Sequence, residues 1–469
     1  MFLKNIANFI SHYEYEGASD KTINVAKSAF LDFFGVAYRG FKEYSTHVAF
    51  LTINEIYASA EYNESLASII GEDEIKQNML SAAFVNAISA HSLDLDDGHR
   101  GAHIHLGTVV FPVALAISEA HNLSGKEFLE AVIIGYEIGI LLGKLVSPIH
   151  RNNGFHTTGT IGTFVAAAVA SKLLKLDEKA IINALGLAGT QAAGLLESDH
   201  SGSMGKVLHT GKAAYNGMLS AFLAKNGFTG AESIFDGKEG FLNAMVYTCD
   251  EDSDHLQKSL ANVGNIDFSE IYFKIYPFCR HLHSAIDATR KLRTIFKNDY
   301  SRIKTIAVQT YGIAAEHNNY NPKTIEELKQ SLPYAIAIGL VCDEVTIDTL
   351  HRLVKLGLFE ENPEVSKIKT IKEMANKVAI YEDEKLENLY PEKRPANVII
   401  KLDEKLRNGI FENMVVIPKG DLENPLDLDD LISKFKSLNP KYNIKKLSII
   451  DKIEDYQMTE FVELLNGDD

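Results

Sequence analysis

The fold of the first half of the chain is decided by residues 154–194, GFHTTGTIGTFVAAAVASKLLKLDEKAIINALGLAGTQAAG. Apolar residues recur there at helical spacing in two runs, and Asp177 stands at the start of the second run as a predicted N-cap. Alanine and glycine dominate both runs, so the helices can approach each other closely. The stretch therefore predicts a tightly packed all-α core.

Helical patterns continue on both sides of this stretch. Residues 211–228 read as a helix that stops at Gly227, and residues 128–146 form the most apolar run of the chain. Ser124 and Glu127 precede that run as a predicted capping box. Two glutamates inside it make a membrane span costly, and three glycines at a spacing of four predict close packing on another helix: Gly135, Gly139 and Gly143.

The character of the sequence changes after about residue 270. Residues 302–312 and 396–420 are rich in β-forming side chains, and the second segment reads as a hairpin around LRNG. Helical patterns lie between these segments and return near the end of the chain. We therefore expect a mainly α protein with three parts: an all-α domain begun by residues 1–268, a smaller α+β domain at 269–420, and a return to the helical domain at 421–469.

Composition excludes several classes of protein. The chain has 469 residues and a formal net charge of −16, which disfavours binding to nucleic acid or to anionic membranes. Its three cysteines lie far apart, so they predict neither a disulfide framework nor a thiolate metal site. Polar residues interrupt the N-terminal apolar run, which argues against a signal peptide. We expect a cytoplasmic protein that acts on a small molecule.

The segment with the most chemistry is HSLDLDDGHRGAHIH, residues 91–105, which holds four histidines and three aspartates. Other histidines lie in short segments rich in Gly, Ser and Thr, several of them just before predicted helices. Basic residues accompany them: Arg151, Lys206, Lys212 and Arg280. Imidazoles, cations and free amides at helix N-termini suit a polycarboxylate, and histidine beside a carboxylate suits proton transfer.

Less specific interpretations compete with this one. A single loop histidine is most often solvated or hydrogen-bonded, and DLDDGH can be a solvated turn after a helix. The glycines of GTIG and GTQAAG more often serve close packing than phosphate binding. HRGAHIH has the side chains of a metal site, but His103 and His105 could both ligate only on a strand or an irregular loop. An acid–base site is therefore favoured over a metal site.

Several strings together resemble the MmgE/PrpD family, over about residues 5–440. They are NAISAHSLDLDDGH, GFHTTGTIGTFVAAAVASKLLKL, GKVLHTGKAAYNGMLSAFLAKNGFTGAESIFDGKEGF and KIYPFCRHLHSAIDA. The family contains 2-methylcitrate dehydratases, cis-aconitate decarboxylases and iminodisuccinate epimerases. The resemblance implies a large all-α domain made from both chain ends, a smaller α+β lid domain and a homodimer. It also implies that no metal and no organic cofactor takes part.

The same resemblance implies a set of site residues. Lys206 and His105 are expected to transfer protons, and Asp94, the first aspartate of D-x-D-D, is expected to orient one of them. The remaining residues are expected to hold carboxylates or a leaving hydroxyl: His156, His209, His283 and Tyr320.

Three departures from the family pattern bear on the substrate. Gly98 stands where a threonine is common, HLG at 105–107 stands for HPS, and the loop between them is one residue longer. The expected function is a lyase acting on a citrate-like di- or tricarboxylic acid, with dehydration of the 2-methylcitrate type ahead of cis-aconitate-type decarboxylation. Epimerisation of a dicarboxylate such as iminodisuccinate is the next alternative, and a non-catalytic helical scaffold is the least favoured.

Overall fold

The computed structural model describes residues 2–57, 66–72, 75–246, 264, 270–296, 299–403 and 409–466. Helices dominate these residues, which confirms the expectation of a mainly α protein. The chain divides into two compact units. Unit 1 comprises Met1–Glu197, Met204–Tyr272 and Asp427–Asp469, and unit 2 comprises Ser198–Ser203 and Phe273–Leu426.

Twelve α-helices are described before residue 246. They are α1 (Phe2–His12), α2 (Asp20–Gly40), α3 (Tyr44–Tyr57), α4 (Met79–His91), α5 (Gly107–Ala120), α6 (Gly125–Val146), α7 (Ile149–Asn152), α8 (Thr157–Leu173), α9 (Glu178–Gln191), α10 (Glu197–His200), α11 (Gly205–Lys225) and α12 (Phe241–Met245). Helix α8 is buried along nearly its whole length, and α5, α6, α9 and α11 pack around it. The alanine- and glycine-rich stretch thus lies at the centre of unit 1.

Two short antiparallel ladders complete this part of unit 1. Strand β1 (Leu66–Ser68) pairs with β2 (Lys76–Asn78), and β3 (Gly98–His99) pairs with β4 (Ile271–Tyr272). The second ladder brings the last residues of unit 1 before unit 2 onto the segment between α4 and α5.

Two predicted helix starts of unit 1 are confirmed, and so is close packing of the α6 glycines on another helix, because a Cβ atom on Gly135 would lie 2.6 Å from Val169 Cγ2 of α8. Ser124 and Glu127 form the capping box of α6, and Asp177 caps α9 by accepting a hydrogen bond from the Ala180 amide at 2.8 Å. A Cβ atom on Gly139 would lie 2.2 Å from Leu106 Cδ2, and one on Gly143 would lie 2.6 Å from Ala102 Cβ. Because neither position has room for a side chain, α6 packs directly against the segment that leads into α5.

The predicted start of α11 was wrong. The sequence placed it near Gly211, with Lys206 in the preceding turn, whereas the helix begins at Gly205 and Lys206 lies in its first turn. Thr210 has the side chain of an N-cap for a helix that starts at Gly211. Its hydroxyl instead donates to the carbonyls of Ala87 and Val207, at 2.9 and 2.8 Å, so the helix continues backwards to Met204, where the backbone leaves helical geometry.

Unit 2 contains a four-stranded sheet and several helices. The sheet has the order β6-β5-β7-β8, from β5 (Ile303–Thr310), β6 (Val378–Glu382), β7 (Ala396–Leu402) and β8 (Ile410–Val415). Strand β5 pairs with β6 in parallel and with β7 antiparallel, and β7 pairs antiparallel with β8. The strands of the predicted hairpin are therefore confirmed, while most of its turn, residues 404–408, lies outside the described residues.

The helices after β4 are α13 (His283–Phe296), α14 (Gly312–Ala315), α15 (Ile325–Lys329), α16 (Leu332–Val341), α17 (Ile347–Lys355), α18 (Ser366–Asn376), α19 (Glu384–Glu387), α20 (Leu428–Leu438) and α21 (Met458–Asn466). The last two belong to unit 1. Among the residues described, none of the helices is at once long enough and apolar enough to cross a bilayer.

Lys434 of helix α20 bonds to two groups in the interior of unit 1. Lys434 Nζ lies 2.5 Å from Asp32 Oδ1 on α2 and donates a hydrogen bond to the Leu95 carbonyl at 2.8 Å. Asp32 is buried, so this ammonium group supplies its countercharge. The C-terminal part of the chain is thereby bonded to the segment between α4 and α5.

Candidate active site

The segment between α4 and α5, residues 92–106, and the last residue of α4, His91, form what we call the acid–base loop. All three of its aspartates are buried. Asp94 adopts a left-handed backbone conformation with φ of 53°. Aspartate tolerates this region better than most residues, and non-glycine residues held there concentrate at functional sites.

Lys206 and Asp94 form an ion pair within unit 1. The first turn of α11 carries the lysine, whose Nζ lies 3.0 Å from Asp94 Oδ1. Both side chains are largely shielded from solvent. The sequence left open whether Asp94 orients His105 or Lys206, and the direct contact is with Lys206. A carboxylate at this distance stabilises the protonated ammonium group, which is the form that can donate a proton.

His105 is instead held by Asp96 and by the backbone of Asp97. Its Nδ1 lies 2.8 Å from Asp96 Oδ2 and 2.8 Å from the Asp97 carbonyl oxygen. Both neighbours are acceptors, so Nδ1 carries the proton. In the neutral ring, Nε2 then carries the lone pair and is the atom that can accept a proton from a substrate.

Asp96 accepts a second imidazole hydrogen bond from His91, at 2.9 Å between Nδ1 and Oδ2. Burial raises the pKa of Asp96, but His91 and His105 outweigh this and hold it well below its usual value. Burial also lowers the pKa of His91 to about 4, against the opposing effect of Asp96. At neutral pH the carboxylate is therefore ionised and His91 is neutral.

A second histidine pair adjoins the first. The Nδ1 atoms of His156 and His209 lie 3.0 Å apart, so one ring must donate to the other. Ring centroids are separated by 5.0 Å from His105 to His91, 6.0 Å from His91 to His156, and 5.2 Å from His156 to His209. Burial, followed by the charges of His209 and His91, lowers the pKa of His156 well below its ordinary value.

The arrangement suits proton transfer better than metal binding. One ligand atom each from His91, Asp96 and His105 lies within 4.8 Å of the others, and this is the kind of group that can hold an ion. Tetrahedral zinc at ordinary bond lengths separates its ligand atoms by about 3.3 Å. The two nitrogens lie closer to the carboxylate oxygen, at 2.9 and 2.8 Å, which is the distance of a charge-assisted hydrogen bond.

The structure places the two remaining predicted residues in unit 2. His283 is fully buried; its Nδ1 accepts from Arg280 at 3.0 Å and its Nε2 donates to the Phe278 carbonyl at 3.2 Å. Tyr320 is 39% exposed and donates its hydroxyl proton to the Val378 carbonyl at 3.1 Å. Substrate binding by these two side chains stays a prediction.

Comparison with known proteins agrees with the resemblance. The family model of the MmgE/PrpD N-terminal domain matches residues 4–252, and that of the C-terminal domain matches residues 276–453. The chain belongs to the MmgE/PrpD family. Its acid–base loop, His156, Lys206 and His209 all fall within the part that matches the N-terminal domain.

Several MmgE/PrpD relatives bear the name cis-aconitate decarboxylase. One from Aspergillus terreus (strain NIH 2624 / FGSC A1156) is 28% identical over 307 residues, which cover 62% of this chain and 61% of the relative. One from Homo sapiens is 28% identical over 371 residues, covering 75% and 73%. One from Mus musculus is 26% identical over 495 residues, covering 100% and 94%. The chain thus spans less than two thirds of the A. terreus relative.

Sequence reasoning missed the roles of Asp96 and His91. The resemblance drew attention to Asp94, the first aspartate of D-x-D-D, and to the histidine that precedes α5. The sequence did hold a signal for both residues. Asp96 belongs to the same D-x-D-D motif as Asp94, and His91 is the first residue of the histidine-rich stretch 91–105. Their contact forms because the chain turns back at the end of α4, and spacing along the sequence does not display such a turn.

Proposed function

We propose that the chain is a lyase acting on citrate-like polycarboxylic acids, and that its reaction is decarboxylation of an unsaturated tricarboxylate of the cis-aconitate type. One observation carries the proposal: a carboxylate-paired lysine, Lys206, and a carboxylate-held histidine, His105, belong to the same acid–base site. Membership of the MmgE/PrpD family and the names of the relatives support this reaction.

The chemistry requires one proton for each molecule of substrate. When the carbon–carbon bond to a carboxylate breaks, carbon dioxide leaves and the electron pair remains in conjugation with the rest of the unsaturated acid. A proton delivered to carbon completes the reaction. We assign this delivery to Lys206, whose ammonium group Asp94 holds in place at 3.0 Å. His105, which Asp96 and the Asp97 carbonyl hold, is the second proton-transfer group.

The substrate carboxylates need electropositive partners within a chain whose net charge is −16. Lys206 supplies a cation. The His156–His209 pair supplies an imidazole N–H group that can donate a hydrogen bond to a substrate carboxylate. We include both histidines in the carboxylate-binding set, together with His283 and Tyr320 of unit 2.

Dehydration of a hydroxy acid of the 2-methylcitrate type is the second candidate, and the tautomer of His105 favours it. Because Nδ1 donates within the loop, the Nε2 lone pair is available to remove a proton from the carbon next to a carboxylate. Lys206 would then protonate the departing hydroxyl group. If the substrate has no leaving group, His105 and Lys206 could remove and return a proton on the same carbon. They would then epimerise a dicarboxylate such as iminodisuccinate.

The test is a panel of cis-aconitate, citrate, 2-methylcitrate and iminodisuccinate, each incubated with the enzyme in D₂O and followed by NMR. We expect cis-aconitate to lose carbon dioxide and to gain one deuterium on carbon. Loss of water from 2-methylcitrate would identify the enzyme as a dehydratase instead of a decarboxylase. Deuterium uptake with neither loss would identify an epimerase. No change in any substrate would contradict the lyase proposal, provided that circular dichroism shows the protein to be folded.

Three further features belong to the same proposal and rest on the family resemblance. We propose that unit 2 acts as a lid that excludes water during the reaction, that the enzyme works as a cytoplasmic homodimer, and that it needs no metal or organic cofactor. Light scattering at micromolar concentration should give the mass of two chains. A mass of one chain would remove the dimer from the proposal and leave the reaction untouched.

A further inference from the structure

Gly98 and Tyr272 are a complementary pair in the ladder of β3 and β4. They are direct partners in the register, and both are buried. A Cβ atom on Gly98 would lie 2.5 Å from the Tyr272 hydroxyl oxygen, 2.7 Å from its Cζ and 3.2 Å from the Ile104 carbonyl oxygen. The tyrosine ring therefore occupies the space that any side chain at position 98 would require.

This contact lies beside the peptide that holds His105. The Asp97 carbonyl, in the peptide bond to Gly98, accepts the hydrogen bond from His105 Nδ1 at 2.8 Å. The Ile104 carbonyl, in the peptide bond to His105, accepts a hydrogen bond from the His99 amide at 3.0 Å. Gly98 thus lies where the two ends of the acid–base loop come together, and the tyrosine ring covers that point.

The strand that carries Tyr272 is anchored next to the pair. Glu270 Oε2 lies 2.7 Å from Lys144 Nζ on α6 and 3.2 Å from His99 Nε2. His99 is buried, and its Nδ1 accepts a hydrogen bond from the Ala102 amide at 3.0 Å. These contacts fix the register of β4 on β3, so the tyrosine ring has little freedom to move away from Gly98.

We propose that Tyr272 is a positioning residue for His105, and that Gly98 is required because the tyrosine ring fills the space above it. The ring presses on the Asp97–Gly98 peptide and so sets the direction in which the Asp97 carbonyl holds the imidazole. The inference rests on the proposed role of His105 in proton transfer. Gly98 stands where the family commonly has threonine. The Tyr272 ring on β4 occupies the space that the threonine side chain would need.

The experiment compares Gly98→Ala, Tyr272→Ala, the double variant and Tyr272→Phe. Gly101→Ala is the matched control, because a Cβ atom there meets nothing nearer than 3.6 Å in the same loop. We expect Gly98→Ala to lower kcat by about tenfold to a hundredfold with little change in KM, since small displacements of a catalytic group have effects of this size. Gly101→Ala should stay within about threefold of the parent enzyme. Tyr272→Phe should lower kcat less than Tyr272→Ala does, because it keeps the ring.

The double variant is decisive. If the added methyl group acts by colliding with the ring, Gly98→Ala should have almost no further effect once Tyr272→Ala is present. Independent, multiplicative effects on kcat would overturn the proposal. So would a Gly98→Ala enzyme indistinguishable from Gly101→Ala.

A second readout does not depend on the substrate. In ¹⁵N-labelled protein, the two ring nitrogens of His105, assigned with a His105→Gln variant, report the tautomer and the hydrogen bond to Asp97. We expect Gly98→Ala and Tyr272→Ala to shift these signals and Gly101→Ala to leave them in place. Unchanged signals in all variants would refute the positioning role even if every activity assay of the proposed function were negative. Shifted signals in an enzyme inactive on the whole panel would retain the positioning role and reject the lyase.

Discussion

Lys206 on α11 and Asp94 in the acid–base loop form an ion pair with 3.0 Å between Nζ and Oδ1. The pair joins two elements that are far apart in the sequence, and its aspartate has a φ of 53°. An unusual backbone conformation is retained where the surrounding structure compensates for its cost. Here it directs a carboxylate at the lysine to which we assign proton delivery.

Replacement of Lys206 by arginine separates charge from proton transfer. Arginine keeps the positive charge but stays protonated at any working pH, so it can bind a carboxylate and cannot deliver the proton. We expect Lys206→Arg to lower kcat by about 10² to 10⁴ while a substrate-like inhibitor still binds. Lys225→Arg, at the exposed end of the same helix, is the matched control. A near-normal kcat would leave His105 as the main proton-transfer residue.

Chelation should leave activity unchanged. His91, Asp96 and His105 lie close enough to hold an ion, but their contacts have the lengths of hydrogen bonds. We expect the same kcat before and after dialysis against EDTA, and no stimulation by added zinc, magnesium or manganese. Activity that disappears on chelation and returns with one divalent ion would make this group a metal site.

Close packing of α6 should make Gly139 intolerant of even a methyl group. Its Cβ would lie 2.2 Å from Leu106 Cδ2 and 3.1 Å from Val165 Cγ2. Overpacking of this kind costs about 1–3 kcal/mol, so Gly139→Ala should lower the free energy of unfolding in urea by that amount. The control is Gly17→Ala, where a Cβ meets nothing within 4 Å. Equal stability of the two variants would show that the Leu106 side chain or α6 itself can shift to make room for the methyl group.

Buried His150 should make stability depend on pH. Burial lowers its pKa to about 4, from the ordinary histidine value of 6.5. Between these values the unfolded chain binds a proton that the folded chain does not, so stability falls as the pH falls, by about 1.4 kcal/mol per pH unit for one proton.

The corresponding variant is His150→Gln, studied by urea unfolding at pH 7.5 and 5.5. We expect it to be less stable than the parent at pH 7.5, because the hydrogen bond of 2.8 Å to Thr160 and the contact with Phe155 are disturbed. At pH 5.5 the difference should shrink by about 1 kcal/mol, since the variant has no proton to take up at this position. His47→Gln, at an exposed histidine, should follow the parent at both values. A constant difference for His150→Gln would contradict the prediction.

The sequence was most informative where local chemistry decides the structure. Asp177 caps a helix because its side chain reaches an amide three residues ahead, and the apolar period of residues 157–173 alone indicates a buried helix. The start of α11 was misplaced because Thr210 resembles an N-cap in the sequence, whereas its hydroxyl bonds to the carbonyls of Ala87 and Val207 within the folded unit. Asp96 and Tyr272 could not be assigned from the sequence, since each acts through a contact created by tertiary folding: two imidazoles meet at Asp96, and a distant strand covers Gly98.

The hydrogen bond from Lys434 to the Leu95 carbonyl has a consequence for the order of events during biosynthesis. Leu95 lies between Asp94 and Asp96, so the loop that carries both carboxylates obtains one of its anchors only when α20 has left the ribosome. Synthesis proceeds from the N-terminus at roughly 5–20 residues per second, so the loop is made well before Lys434 is added. A chain released before α20 has been synthesised therefore carries the acid–base loop without this bond to the Leu95 carbonyl.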